Sequence, residues 1–189
     1  MTEMTVDLSE KKSLPAAIEQ FVLSWGDLGG HWGVNRSIAQ IHALLYVSDQ
    51  PMTAEEIADC LDIARSNVST SIRELLSWKL IHRVPIRGDR RDHFEAETDL
   101  WEVAILIAEG RKQREIDPAR VALQACAKAA NADAQVSPAA RKRLAEMESF
   151  VTDLSSWYSD MLTLPRSSIV ALVKLGSRVA RFLKPTKRK

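Results

Sequence analysis

Cysteine is scarce in this chain: Cys60 and Cys126 are the only two among 189 residues. Two thiols cannot build a disulfide framework, and no Cys-x-x-Cys is present to hold zinc or run thiol exchange. Long hydrophobic runs are also missing. The longest aliphatic stretch, Val103 to Ala108, is far too short to cross a bilayer. The first ten residues carry Glu3, Asp7 and Glu10 rather than a basic, apolar leader, which argues against a secretory signal. A cytoplasmic protein with no membrane partner is the expectation.

Catalytic and metal-binding patterns are equally thin. The four histidines, His31, His42, His82 and His93, include no i, i+4 pair and no cysteines at finger spacing, so no metal is expected. Ser155-Ser156 and Ser167-Ser168 lack the Gly-x-Ser-x-Gly elbow. Gly29, Gly30 and Gly33 suggest a turn, but no Gly-Lys-Ser/Thr follows them to cradle a phosphate. Neither an enzyme nor a bound cofactor is expected. The net charge is only +1, yet positive charge is gathered locally. Seven Arg and Lys stand against three acids between Ala64 and His93, and eight against none between Arg166 and Lys189. That distribution suits a polyanion bound at a defined place.

What is present is mostly helical periodicity. Ser13 and Pro15 open a first helix, with Leu14, Ile18, Phe21, Val22 and Trp25 at helical spacing. A second runs from about Asn35 to Val47. Thr53-Ala-Glu-Glu56 has the form of a capping box at the head of a third. A fourth, reached through Asp62-Ile63-Ala64, carries Val68, Ile72, Leu75 and Leu76 on one stripe. Ile81 to Ile86 and His93 to Ala96 read as two strands around a Gly88-Asp89 turn, a ribbon that could bring His82 and His93 together. Beyond Asp99 helices are expected over Leu100–Glu115, from Pro118 to about Ala132, from Ser137 to about Leu162, and from Ser167 or Ser168 to about Leu183.

The order short helix, tight turn, helix, basic ribbon has a physical meaning. A helix fits the major groove, and its N-terminal half can present side chains to base edges. With Val68 and Ile72 inward, Arg65, Ser66, Asn67, Thr70 and Arg73 turn outward. Asn can pair with adenine and Arg with guanine through two contacts each. Arg87, Arg90 and Arg91 at the ribbon tip suit a flanking minor groove or phosphate backbone. Double-stranded DNA is therefore the expected partner. The alternative is a winged-helix adaptor for protein–protein contacts without DNA specificity.

These residues resemble a known family. Asn35 to Tyr46 is similar to the helix that opens MarR-type winged-helix repressors. Ile63 to Leu75 and Gly88-Asp-Arg-Arg-Asp92 most resemble the GbsR-like branch, regulators of glycine betaine synthesis and transport. The likeness covers roughly residues 15 to 100. It implies a homodimer on a pseudo-palindromic operator, acting as a repressor, with DNA contacts at Arg65, Ser66, Asn67, Thr70, Arg73, Arg90 and Arg91. It also implies that Asp89 steers Arg91. Ala64 departs from the family's Ser or Thr at the helix cap, which leaves Asp62, Ser66 or a shifted helix start as alternatives.

The fold expected is mainly α: a winged helix-turn-helix with a two-stranded β-wing, plus a helical C-terminal dimerisation arm. Its parts are an N-terminal packing helix (1–34), the DNA-binding domain (35–98), a helical dimerisation region (99–183) and a basic tail (184–189). Leu144, Met147, Val151, Leu154, Tyr158 and Met161 are spaced 3, 4, 3, 4, 3, a heptad seam for dimerisation. Aromatics are few, at 6%, yet five are tryptophans. Trp25, Trp32, Trp101 and Trp157 flank the DNA-binding module and are candidates for an effector pocket. A quaternary ammonium compound is the ligand such a cage would take, through cation–π attraction. Cys60 and Cys126 are expected to pack as small hydrophobes.

Overall fold

The computed structural model describes residues 14–183, so Ser13 and the basic segment 184–189 lie outside the described residues. The residues group into two compact units, the first ending at Ile107 and the second starting at Ala108.

In the first unit, α1 (Ala16–His31) packs on α2 (Arg36–Val47). Gly29 and Gly30 do not turn the chain as expected; both sit inside α1. The reason is packing. A Cβ on Gly29 would lie 2.5 Å from the Ala39 Cβ, and one on Gly26 would lie 2.6 Å from Gln40 Cγ. The missing side chains let the two helices close up. The turn falls on Gly33, whose φ of +75° favours glycine. Asn35 caps α2 by accepting the Ser37 N–H at 2.9 Å.

Thr53 and Glu56 form the reciprocal capping box expected at the head of α3 (Ala54–Leu61). Asp62 ends α3 in the left-handed region, and α4 (Arg65–Ser77) begins three residues later. Ala64 is its N-cap and supplies no side-chain oxygen. The helix start is not shifted by the missing cap.

The wing has three strands rather than two. β1 (Met52–Thr53), β2 (Ile81–Val84) and β3 (His93–Ala96) are antiparallel in the order β1-β3-β2. Two-residue β1 doubles as the cap of α3 and is too short to show alternation. Register sets His82 opposite Glu95 and His93 opposite Val84, so the two histidines do not pair. His82 bonds Glu95 at 2.6 Å instead. The core of this unit is Val22, Ile41, Leu44, Ile57, Val68, Ile72, Leu75, Ile81, Phe94 and Val103, all buried. Val103 comes from α5 (Leu100–Arg111), which Asp99 caps through the Trp101 N–H at 2.9 Å.

In the second unit no break separates the helices around Pro118. A π turn (Lys112–Ile116) leads into α6 (Asp117–Ala132), with Pro118 in its first turn. Widening to the π pattern brings the Asp117 N–H onto the Lys112 carbonyl just ahead of a proline that has no N–H. Lys112 Nζ meets both Asp117 oxygens, at 2.8 and 3.0 Å, and Ser155 Oγ adds a third bond at 3.1 Å. The lysine holds the Asp117 carboxyl below its usual range. Ser155 belongs to α7 (Pro138–Thr163), which lies along α6 and is capped by Ser137. α8 (Arg166–Leu183) follows. Cys126 is exposed rather than packed, whereas Cys60 is half-buried against the core. Among the described residues no helix is long and apolar enough to cross a membrane.

Candidate nucleic-acid interface

The inward stripe of α4 decides which residues it offers to a partner. Val68, Ser71, Ile72 and Leu75 are buried. Arg65, Ser66, Asn67, Thr70 and Arg73 therefore lie on the outer face, and all five are exposed. The hydrogen bonds among them order that face. Arg73 Nε donates to the Ser69 carbonyl at 3.3 Å, and its Nη2 to Thr70 Oγ1 at 3.2 Å. Arg65 is drawn to Glu55 of α3 by an ion pair. Asn67 donates its amide to Ser37 Oγ of α2 at 2.9 Å.

The loop from Pro85 to Asp92 joins β2 to β3. Its turn is closed by the Asp89 N–H on the Ile86 carbonyl, with Gly88 at φ +89°. Asp89 accepts the Arg91 backbone N–H at 2.9 Å and grips the same residue's guanidinium with both oxygens, at 3.0 and 3.1 Å to Nε and 2.5 Å to Nη2. These bonds hold the Asp89 carboxyl well below the usual carboxylate range. An arginine tethered at backbone and side chain presents its remaining N–H groups in one direction. Arg87 and Arg90 are exposed and make no ion pair among the described residues.

One contributor escaped the sequence. A cleft of about 450 Å³ between α4 and the wing is lined by Arg73, Arg83 and Arg91, together with Glu55 and Asp92. Arg83 is exposed on β2 and lies 3.5 Å from Asp92. Strand alternation could have placed it outward, but only the sheet register brings it beside Arg73.

Two of the four tryptophans share a cavity within the first unit. Trp25 and Trp32 line a cavity of about 330 Å³ with Phe21, His42, Tyr46 and residues of α5. Trp101 is half-buried and is not in that lining. Trp157 belongs to α7 in the second unit. The heptad seam is divided as well. Leu144, Val151 and Tyr158 are half-buried on the side of α7 that carries buried Ser155, while Met147 and Leu154 are exposed and Met161 is half-buried. Phe150 and Trp157, 66% and 57% exposed, extend the open side. No group of three or more His, Cys, Asp or Glu suited to a metal exists among the described residues.

Residues 32–92 match the family model described as MarR family. In Bacillus subtilis (strain 168) the chain is similar to a protein named as an HTH-type transcriptional regulator, YvaV, at 24% identity over 76 residues, 40% of this chain and 43% of that one. It is similar to the HTH-type transcriptional repressor OpcR at 22% over 74 residues, covering 39% and 40%. It is similar to the HTH-type transcriptional repressor GbsR at 27% over 70 residues, covering 37% and 38%. The chain thus spans less than half the length of the curated relatives it matches. A solved crystal structure of a transcriptional regulator aligns with a TM-score of 0.59 at 25% identity, covering 77% of this chain and 95% of that one. The geometry and the structural likeness agree on a winged-helix fold, in which residues 32–92 are similar to the MarR family.

Proposed function

We propose that this protein is a sequence-specific, DNA-binding transcriptional regulator that acts as a cytoplasmic homodimer on a pseudo-palindromic operator and represses transcription. One observation carries the proposal: the outer face of α4, with Asn67 and Arg73, is open to solvent beside a wing whose Arg91 is held by Asp89. Asn67 and Arg73 read bases, and Arg87, Arg90 and Arg91 follow the backbone or the adjacent minor groove. The match to two relatives named as repressors supports the sign of regulation. The likeness to GbsR supports placement in the GbsR-like branch, and with it modulation by a small molecule, for which a quaternary ammonium compound is the class the branch suggests. No catalytic role is assigned.

Selection of bound sequences from random duplexes tests this. Two dyad-related half-sites about one helical turn apart are expected. Replacing Arg90 and Arg91 by alanine should weaken binding to all duplexes and flatten the salt dependence, each lost phosphate contact lowering the slope by about 0.9. An adaptor would enrich no sequence and would bind no worse without the two arginines.

A further inference from the structure

From Arg166 to Lys189 the chain holds eight Lys and Arg and no acid. Apolar residues are interleaved with them in a regular way. In the sequence, Arg166, Lys174, Arg178 and Arg181 have the spacing of one side of a helix. Ile169, Leu172, Leu175, Val179 and Leu183 have the spacing of the opposite side. The structure makes the stretch a helix, α8. Leu172, Val173 and Leu175 are 42%, 58% and 53% exposed, and α8 packs lengthwise on no other element among the described residues. Leu164, just ahead of the helix, joins Ala171, Leu172 and Leu175 around a hollow of about 590 Å³. Apolar surface of this extent on a basic helix calls for an occupant.

Charge separates the three kinds of occupant that fit such a helix. A second copy of α8 would cover the apolar side but double the positive charge of the pair, with no acid on either helix to offset it. A DNA duplex would take the basic side and leave Leu172 and Leu175 in water. An anionic lipid surface meets both sides at once. Headgroup phosphates attract the Lys and Arg, and the boundary with the acyl chains takes the leucines. A helix of this kind lies on a bilayer rather than through it. It needs neither the long apolar run nor the leader whose absence led to the expectation of no membrane partner.

We infer that α8 binds the surface of a bilayer rich in anionic phospholipid, lying in the plane of the headgroups with Leu172 and Leu175 toward the acyl chains. The inference does not rest on the proposed function, because α8 belongs to the second unit and the candidate DNA-binding face to the first.

Co-sedimentation of the full chain with vesicles tests this, using phosphatidylcholine alone and an equal mixture of phosphatidylcholine and phosphatidylglycerol. Binding to the anionic vesicles is expected, weakening as salt rises, with little binding to the neutral ones. Lys174→Gln should weaken it by about fivefold, the worth of one cation at an anionic surface. Leu172→Glu with Leu175→Glu should abolish it. Both positions are exposed, so without lipid the circular dichroism and sedimentation of this variant should match the parent's. No binding to either vesicle, equal binding to both, or undiminished binding by the double variant would overturn the assignment. A double variant whose oligomer falls apart without lipid would give the face to a second copy. A Lys174→Gln variant that loses duplex affinity would give the basic side to DNA. Either outcome also overturns the lipid assignment. The vesicle experiment contains no DNA, so its failure leaves DNA recognition by the first unit standing.

Discussion

Asn67 in α4 and Ser37 in α2 are joined by a 2.9 Å hydrogen bond that uses one of the two N–H groups of the asparagine amide. Donating one hydrogen to Ser37 Oγ leaves Oδ1 and the second N–H for the two contacts an asparagine makes with adenine, so the serine orients the amide without blocking it. Ser37→Ala removes that support at a half-buried position and should leave stability within about 0.5 kcal/mol of the parent. Binding to the selected duplex should weaken about two- to fivefold, the worth of a modest hydrogen bond. Asn67→Ala should instead lower preference at one position per half-site by about 1–3 kcal/mol. Titrations against matched and single-mismatch duplexes check both. Unchanged or tighter binding by Ser37→Ala would mean that the serine does not hold Asn67 in its reading position.

The glycines of α1 give opposite outcomes one residue apart. At Gly29 an added methyl would sit 2.5 Å from Ala39 Cβ, with helix backbone on both sides, so the helices must part. Gly29→Ala should destabilise by about 1–3 kcal/mol. At Gly30 nothing lies within 4 Å. There alanine only restricts the unfolded chain and favours the helix, so Gly30→Ala should stabilise by about 0.5–1 kcal/mol. Urea melts of the two variants should move in opposite directions.

Those same glycines mark where the sequence misled. Glycine signals a turn when only local propensity is considered, and at Gly29 the long-range contact with Ala39 overrides it. The elements that local chemistry defines were legible: the Thr53–Glu56 box, the starts of α2 near Asn35 and of α7 near Ser137, and the outer face of α4 set by buried Val68 and Ile72. What depended on partners was not. Strand β1 exists only because β3 lies beside it, and Arg83 joins Arg73 only through the register of β2. The passage through Pro118 was hidden because a π turn has no signature in the apolar pattern. The tryptophans were legible as a set but not by location, since aromatic content carries no geometry.

Acid should expose the buried imidazole of His42. Burial lowers its pKa from 6.5 to about 4. Between those values the unfolded chain binds a proton that the folded chain does not, so stability is full above about pH 6.5 and falls as pH drops toward 4. A shift of this size corresponds to about 3 kcal/mol lost across that window. Chemical denaturation at a series of pH values should show the slope, and His42→Phe should flatten it. A parent protein equally stable at pH 7 and pH 4.5 would show that His42 accepts its proton without cost. The Asp117 carboxyl, held down by Lys112 and Ser155, has the same sign but loses its contribution only as pH falls below the ordinary aspartate range.

The two sides of α7 should separate folding from assembly. Leu144, Val151 and Tyr158 share a side with Ser155, which bonds to Asp117 of α6, so part of the expected seam is used within the chain. Met147, Phe150, Leu154 and Trp157 recur at spacings of 3, 4 and 3 on the neighbouring side, and all four are exposed. A heptad stripe of that kind is what a second helix covers. The double change Phe150→Glu with Trp157→Glu puts two charges into that stripe without touching the α6 contact. Sedimentation should find a monomer with full helical circular dichroism, and the affinity for a two-half-site duplex should collapse to that of a single half-site. Leu144→Ala and Val151→Ala should instead destabilise the second unit, by about 1–3 kcal/mol each given their partial burial. A double glutamate variant that remains dimeric would move the dimer contact away from α7 altogether.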